Sequence, residues 1–94
     1  MFAIGDRKWP GISKLVEECG EVIQVCGKLM GTHGDVVHWN VVDLKHALED
    51  EIADVLAACD FVLEFCRFNT EYVTARRQRK LDLFRKWHGE GKKT

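Results

Sequence analysis

From Ile12 to Met30 apolar side chains return at alternating steps of four and three residues: Ile12, Val16, Cys19, Ile23, Cys26 and Met30. Such steps hold one stripe on one face of a helix, so the pattern predicts an amphipathic helix over about residues 11–30, with Pro10 suited to its first position. Gly31 and Gly34 in "GTHGD" punctuate its end, "DVVHWN" reads as a loop, and Asp43 is a good N-cap for a second helix over about 44–67. Its stripe is Leu44, Leu48, Ile52, Val55, Cys59, Val62 and Cys66. A further set, Ala53, Leu56, Ala57 and Phe61, widens that stripe and predicts more than one packing neighbour. Asn69 and Thr70 end this helix and cap a third over about 71–87, with Val73, Leu81, Phe84 and Trp87 inward, Arg and Lys outward, and a frayed tail "GEGKKT". No strand-like alternation of useful length interrupts the series. The expected fold class is all-α: an antiparallel hairpin of the first two helices plus a third helix.

Length changes the picture from a chain to an assembly. At 94 residues the sequence makes one domain, with its core expected over 8–88. A chain this short buries too little surface to build a large core alone, so a homodimer or homotetramer, an oligomeric helical bundle, is expected. Charge is divided: residues 17–54 carry nine acids against two bases, and residues 76–93 eight bases against two acids, for a net of −1. The basic end suggests a phosphate contact, but the acidic middle and near-neutral total argue against a general nucleic-acid binder. No apolar run approaches the about 18 residues needed to span a bilayer, and "MFAIGDRKWP" lacks the apolar core of a signal peptide, so a cytoplasmic, membrane-free protein is expected. The cysteines at 19, 26, 59 and 66 stand on helix faces, seven apart within each pair and with no C-x-x-C, which favours free reduced thiols over a zinc site.

The acids supply the candidate chemistry. "LVEECGE" and "LEDEIAD" thread carboxylates through core-like helix sequence, where an unpaired carboxylate is costly to bury. Glu18 and Glu21 are three apart, as are Glu51 and Asp54, so each pair shares a helix face. Across an antiparallel hairpin the four would meet, and their repulsion calls for a cation between them. An all-oxygen set selects a hard ion, and Mg²⁺, which keeps waters and accepts substrate phosphates, fits better than Ca²⁺, with Mn²⁺ as a substitute. A di-iron bundle wants Glu-x-x-His on two helices, whereas the third positions here are Glu21 and Asp54.

"EECGE" at 17–21 followed by "EIAD" at 51–54 resembles the E-E-x-x-E then E-x-x-D signature of the MazG-like, all-α nucleoside triphosphate pyrophosphohydrolases. The surrounding "KWPGISKLVEECGEVIQVCGKL", "HWN" and "RKLDLFRKWH" are similar to small phage-type and bacterial members, over roughly residues 8–88. The resemblance implies Mg²⁺-dependent cleavage between the α and β phosphates of a nucleotide, giving a monophosphate and pyrophosphate. It implies Glu18, Glu21, Glu51 and Asp54 as metal ligands, with Glu17 orienting or deprotonating the attacking water, so that Glu17 and Glu18 stand as the catalytic pair. The sequence departs from the family in the 29 residues between Glu21 and Glu51, in the near absence of the usual first helix, and in Gln78 before Lys80 where members often carry Asn two residues before Lys.

Substrate contacts are expected from several places. Gln24 and Lys28 extend the face of Glu17 and Glu21, which suits a phosphate. On the third helix Arg77, Lys80 and Arg85 are candidates for the outer phosphates, with Gln78 as the amide. Trp39 in its polar loop either stacks on a base or lids the hairpin's own apolar end. The rival to an enzyme is a non-catalytic helical module whose acidic cluster binds a basic partner.

Overall fold

The structure, a computed structural model, describes residues 8–31 and 43–93. Three helices follow one another, α1 (Ile12–Gly31), α2 (Leu44–Phe65) and α3 (Thr70–Lys93), and α1 packs on α2. No strand occurs among the described residues.

Each helix starts where local chemistry satisfies its first N–H groups. Pro10 lies ahead of α1 instead of opening it, and Gly11, at φ 87°, takes the cap: its carbonyl accepts from Leu15 N–H at 2.9 Å. Asp43 caps α2 as expected, accepting from the N–H groups of Lys45 at 3.0 Å and His46 at 3.3 Å. That helix stops at Phe65, two residues early, because Cys66 forms the C-cap and Arg67 turns to φ 56°, a left-handed position more often filled by glycine. Asn69 caps α3 through its side chain, which accepts from Tyr72 N–H at 3.0 Å. The tail expected to fray is helical through Lys93; Gly89 and Gly91 weaken a helix but do not end one unless the backbone turns left-handed.

The hairpin is antiparallel, since the start of α1 meets the end of α2. The Cys66 thiol donates to the Pro10 carbonyl at 3.3 Å, and Trp9 packs on Phe68 with ring centroids 6.1 Å apart. The stripe that α1 buries is not the expected one. Glu18 is buried and Leu15, Val22, Val25 and Leu29 are half-buried, while Val16, Ile23 and Met30 stand 68 %, 70 % and 79 % exposed. Two ladders of the same four-and-three spacing lie side by side on α1, and the one carrying Glu18 faces α2.

The core is correspondingly thin. Leu44, Ala58 and Val62 are the buried apolar residues among those described. On α3 Val73 and Leu83 are half-buried; Leu81, Phe84 and Trp87, expected inward, are exposed, and the rings of Phe84 and Trp87 pack at a tilt with centroids 5.7 Å apart. The radius of gyration is 16.6 Å, against about 12 Å for a compact chain of this length.

Candidate metal centre and its cavity

Four carboxylates converge where the hairpin's helices cross-face. Glu18 and Glu21 come from adjacent turns of α1, Glu51 and Asp54 from adjacent turns of α2, and one oxygen from each can be chosen so that all lie within 4.8 Å of one another. The i, i+3 spacing on both helices is what allows this, because it places each pair on one face.

Two oxygens in this cluster are orphaned. Glu18 is only 7 % exposed, and its Oε2 and the Oε2 of Glu51 are buried with no hydrogen-bond partner. A buried acceptor without a donor is a costly arrangement that a cation would relieve. The donors are all carboxylate oxygens, the set preferred by Mg²⁺ and Mn²⁺, so the residues present fit a hard divalent ion. The Glu21 carboxyl is raised from its ordinary 4.5, first by hydrogen bonding to Glu51, then by desolvation and by the Glu51 charge. The crowding of Glu21 against Glu51 thus disfavours the charged form of Glu21, a cost that a cation between them would remove.

Among the described residues, Lys14 brings a cation to the cluster. Its ammonium lies 3.4 Å from Glu18 Oε1 and 3.5 Å from Glu17, and it is raised above 10.5 chiefly by the Glu17 charge. Glu17 itself is exposed at the rim, tied to Lys14 and outside the set of four. Lys14 was missed from the sequence; the signal that could have found it is its place one turn before Glu18.

A cavity of about 320 Å³ opens beside the cluster, lined by Gly11, Lys14, Glu18, Asp54, Ala57, Ala58 and Phe61. The set Ala53, Leu56, Ala57 and Phe61 therefore does not act as one face. Ala57 and Phe61 line this cavity, whereas Leu56 lies on the other side of α2.

The expected phosphate contacts on α3 are not brought to the carboxylates. Arg77 and Lys80 line a separate groove of about 350 Å³ with Leu56, Leu63 and Tyr72. Leu63 is nine residues after Asp54, half a turn away at about 100° per residue, so that groove and the carboxylates lie on opposite sides of α2. Gln78 and Arg85 are engaged within α3, Gln78 donating to Asp82 at 3.0 Å and Arg85 lying 3.5 Å from the same residue. Gln24 and Lys28 are exposed on α1, on the turns following Glu21. Trp39 lies outside the described residues. All four cysteines are free, and burial foremost pushes the Cys59 thiol up, which keeps it protonated. No described helix is long and apolar enough to cross a membrane. Comparison with protein-family models, with curated proteins and with solved structures finds no match to this chain.

Proposed function

We propose that the protein is a Mg²⁺-dependent nucleotide pyrophosphohydrolase of the MazG-like type, splitting a nucleoside or deoxynucleoside triphosphate into monophosphate and pyrophosphate. The observation that carries this reading is the four-carboxylate cluster with its two orphaned buried oxygens, opening into a cavity large enough for part of a nucleotide. Glu18, Glu21, Glu51 and Asp54 would hold the metal. When bound, Mg²⁺ supplies charge neutralisation at the phosphoryl oxygens, which is most of what this reaction needs beyond positioning.

The chain's own groups supply the rest. Glu17, exposed and paired with Lys14, would orient an attacking water and accept its proton. Lys14 can exchange its carboxylate partners for a phosphate oxygen as a point charge. The free thiols suit a reducing compartment such as the cytoplasm.

The protein acts as a dimer or tetramer in this reading. The thin core, the extended chain and the exposed stripe of Val16, Ile23, Met30, Ile52 and Leu56 leave much apolar surface for a second copy to cover. Because Arg77 and Lys80 lie across α2 from the carboxylates of their own chain, a neighbouring subunit is the route by which α3 cations could reach a site. Pyrophosphate release from a panel of nucleotides, with Mg²⁺ and with chelator, tests the function. Metal-dependent release of pyrophosphate and monophosphate in equal amounts is expected; no turnover of any nucleotide would replace the enzyme with a binding module.

A further inference from the structure

The geometry points to Phe61 as the platform on which the substrate's aromatic ring stacks, with Ala57 leaving the space it occupies; this rests on the nucleotide reading above. Phe61 is seven residues, two turns, beyond Asp54, which sets it about 10 Å along α2 from the carboxylates. That separation leaves room for a sugar between a stacked ring and phosphates at the metal cluster. Both positions lie on the wall of one cavity.

Phe61 is held ready for this use. A Cβ built on Gly11 would come within 2.6 Å of Cδ1 of its ring, so only glycine lets the ring seat against the start of α1. Phe65 packs against it with centroids 4.5 Å apart and planes tilted by 31°, and the ring still lines the cavity. An aromatic ring fixed by two neighbours presents a surface at little entropic cost. The rest of the cavity wall near it, Ala57 and Ala58, is small and apolar, while Lys14 and Glu18 stand toward the carboxylate end. The cavity therefore has an apolar end suited to a flat uncharged ring and a polar end suited to phosphates and their metal. A base–aromatic stack tolerates different bases, since every base has a π face. The small residues at 57 and 58 would admit either a purine or a pyrimidine.

The test is calorimetric titration of the full chain with Mn²⁺, then with α,β-methylene deoxynucleoside triphosphates of the four bases, and separately with inorganic tripolyphosphate. Phe61→Leu is expected to weaken nucleotide binding about tenfold and to leave Mn²⁺ and tripolyphosphate binding unchanged, with helicity preserved. Ala57→Leu, at an exposed cavity-wall position, is expected to give the same pattern by filling the space. Equal weakening of nucleotide and tripolyphosphate, or unaltered nucleotide affinity in both variants, would overturn the stacking platform. Failure of the unaltered protein to bind Mn²⁺ would overturn the metal reading beneath it, and the platform with it.

Discussion

On one side of the hairpin Glu18, Glu21, Glu51 and Asp54 crowd together beside a cavity walled by Ala57 and Phe61; on the other, Val16, Ile23, Ile52 and Leu56 face outward without cover. Both sides cost free energy in the isolated chain, but for different physical reasons. The first confines like charges and orphaned acceptors, a cost that a cation removes. The second exposes apolar area, a cost that another protein surface removes. In the proposed reading the two kinds of unsatisfied surface call for two kinds of partner, an ion for the first and a second copy for the other.

The largest break in this comparison is a change of one charge on the carboxylate side. Glu51→Gln keeps shape and removes one ligand, and it should lower metal affinity by about 100-fold or more and abolish turnover. Helicity by circular dichroism should remain, and the metal-free protein should melt at the same temperature or higher because repulsion is eased. On the opposite side Ile23→Asp should leave metal binding intact while weakening self-association by about 2 kcal/mol or more, read as a fall in mass by light scattering at micromolar concentration. An unaltered mass, or a monomeric starting protein, would remove the assembly from the account.

Gly11→Ala strikes where the cavity meets the hairpin's end. Alanine is strained at φ 87°, and its Cβ would displace Phe61. A loss of about 1–3 kcal/mol in stability is expected, measured by denaturant midpoint. A smaller effect follows from pH. The folded, metal-free protein keeps the Glu21 carboxyl protonated to higher pH than the unfolded chain does, so this stability is complete below the ordinary value of 4.5 and is lost as pH climbs through the raised value. Melting temperature without metal should fall across that window, and saturating Mg²⁺ should flatten the fall. The smallest effects belong to acids outside the cluster. Glu49→Gln and Asp50→Asn should each change stability by about 0–1 kcal/mol and leave turnover alone; Asp50 makes an exposed contact at 3.7 Å with His46.

The three helices and both side-chain caps were legible because periodicity and capping are local. Asp43 and Asn69 do what their side chains dictate. The meeting of the four carboxylates was legible too, since antiparallel packing of two i, i+3 pairs leaves little alternative. Which stripe of α1 faces α2 was not. Ile12, Val16, Cys19 and Ile23 step as Leu15, Glu18, Val22 and Val25 do, offset on the surface, and periodicity alone favours the more apolar ladder. The presence of Glu18 in the buried ladder was the available signal, and it counts for more once the cluster is known. The cavity was illegible for a related reason. Gly11, Lys14 and Phe61 are separated by up to 50 positions, and only the hairpin's register brings them together.

The central claim is that the carboxylate cluster is a metal cage, and thermal melting at neutral pH tests it without relying on turnover. Mg²⁺ or Mn²⁺ at about a hundredfold excess over its dissociation constant should add about 2.7 kcal/mol of stability, a rise of roughly 10–20 °C for a domain of this size, relative to chelator, and Glu51→Gln should lose most of that rise. Identical melting temperatures for the unaltered protein in saturating metal and in chelator would contradict it.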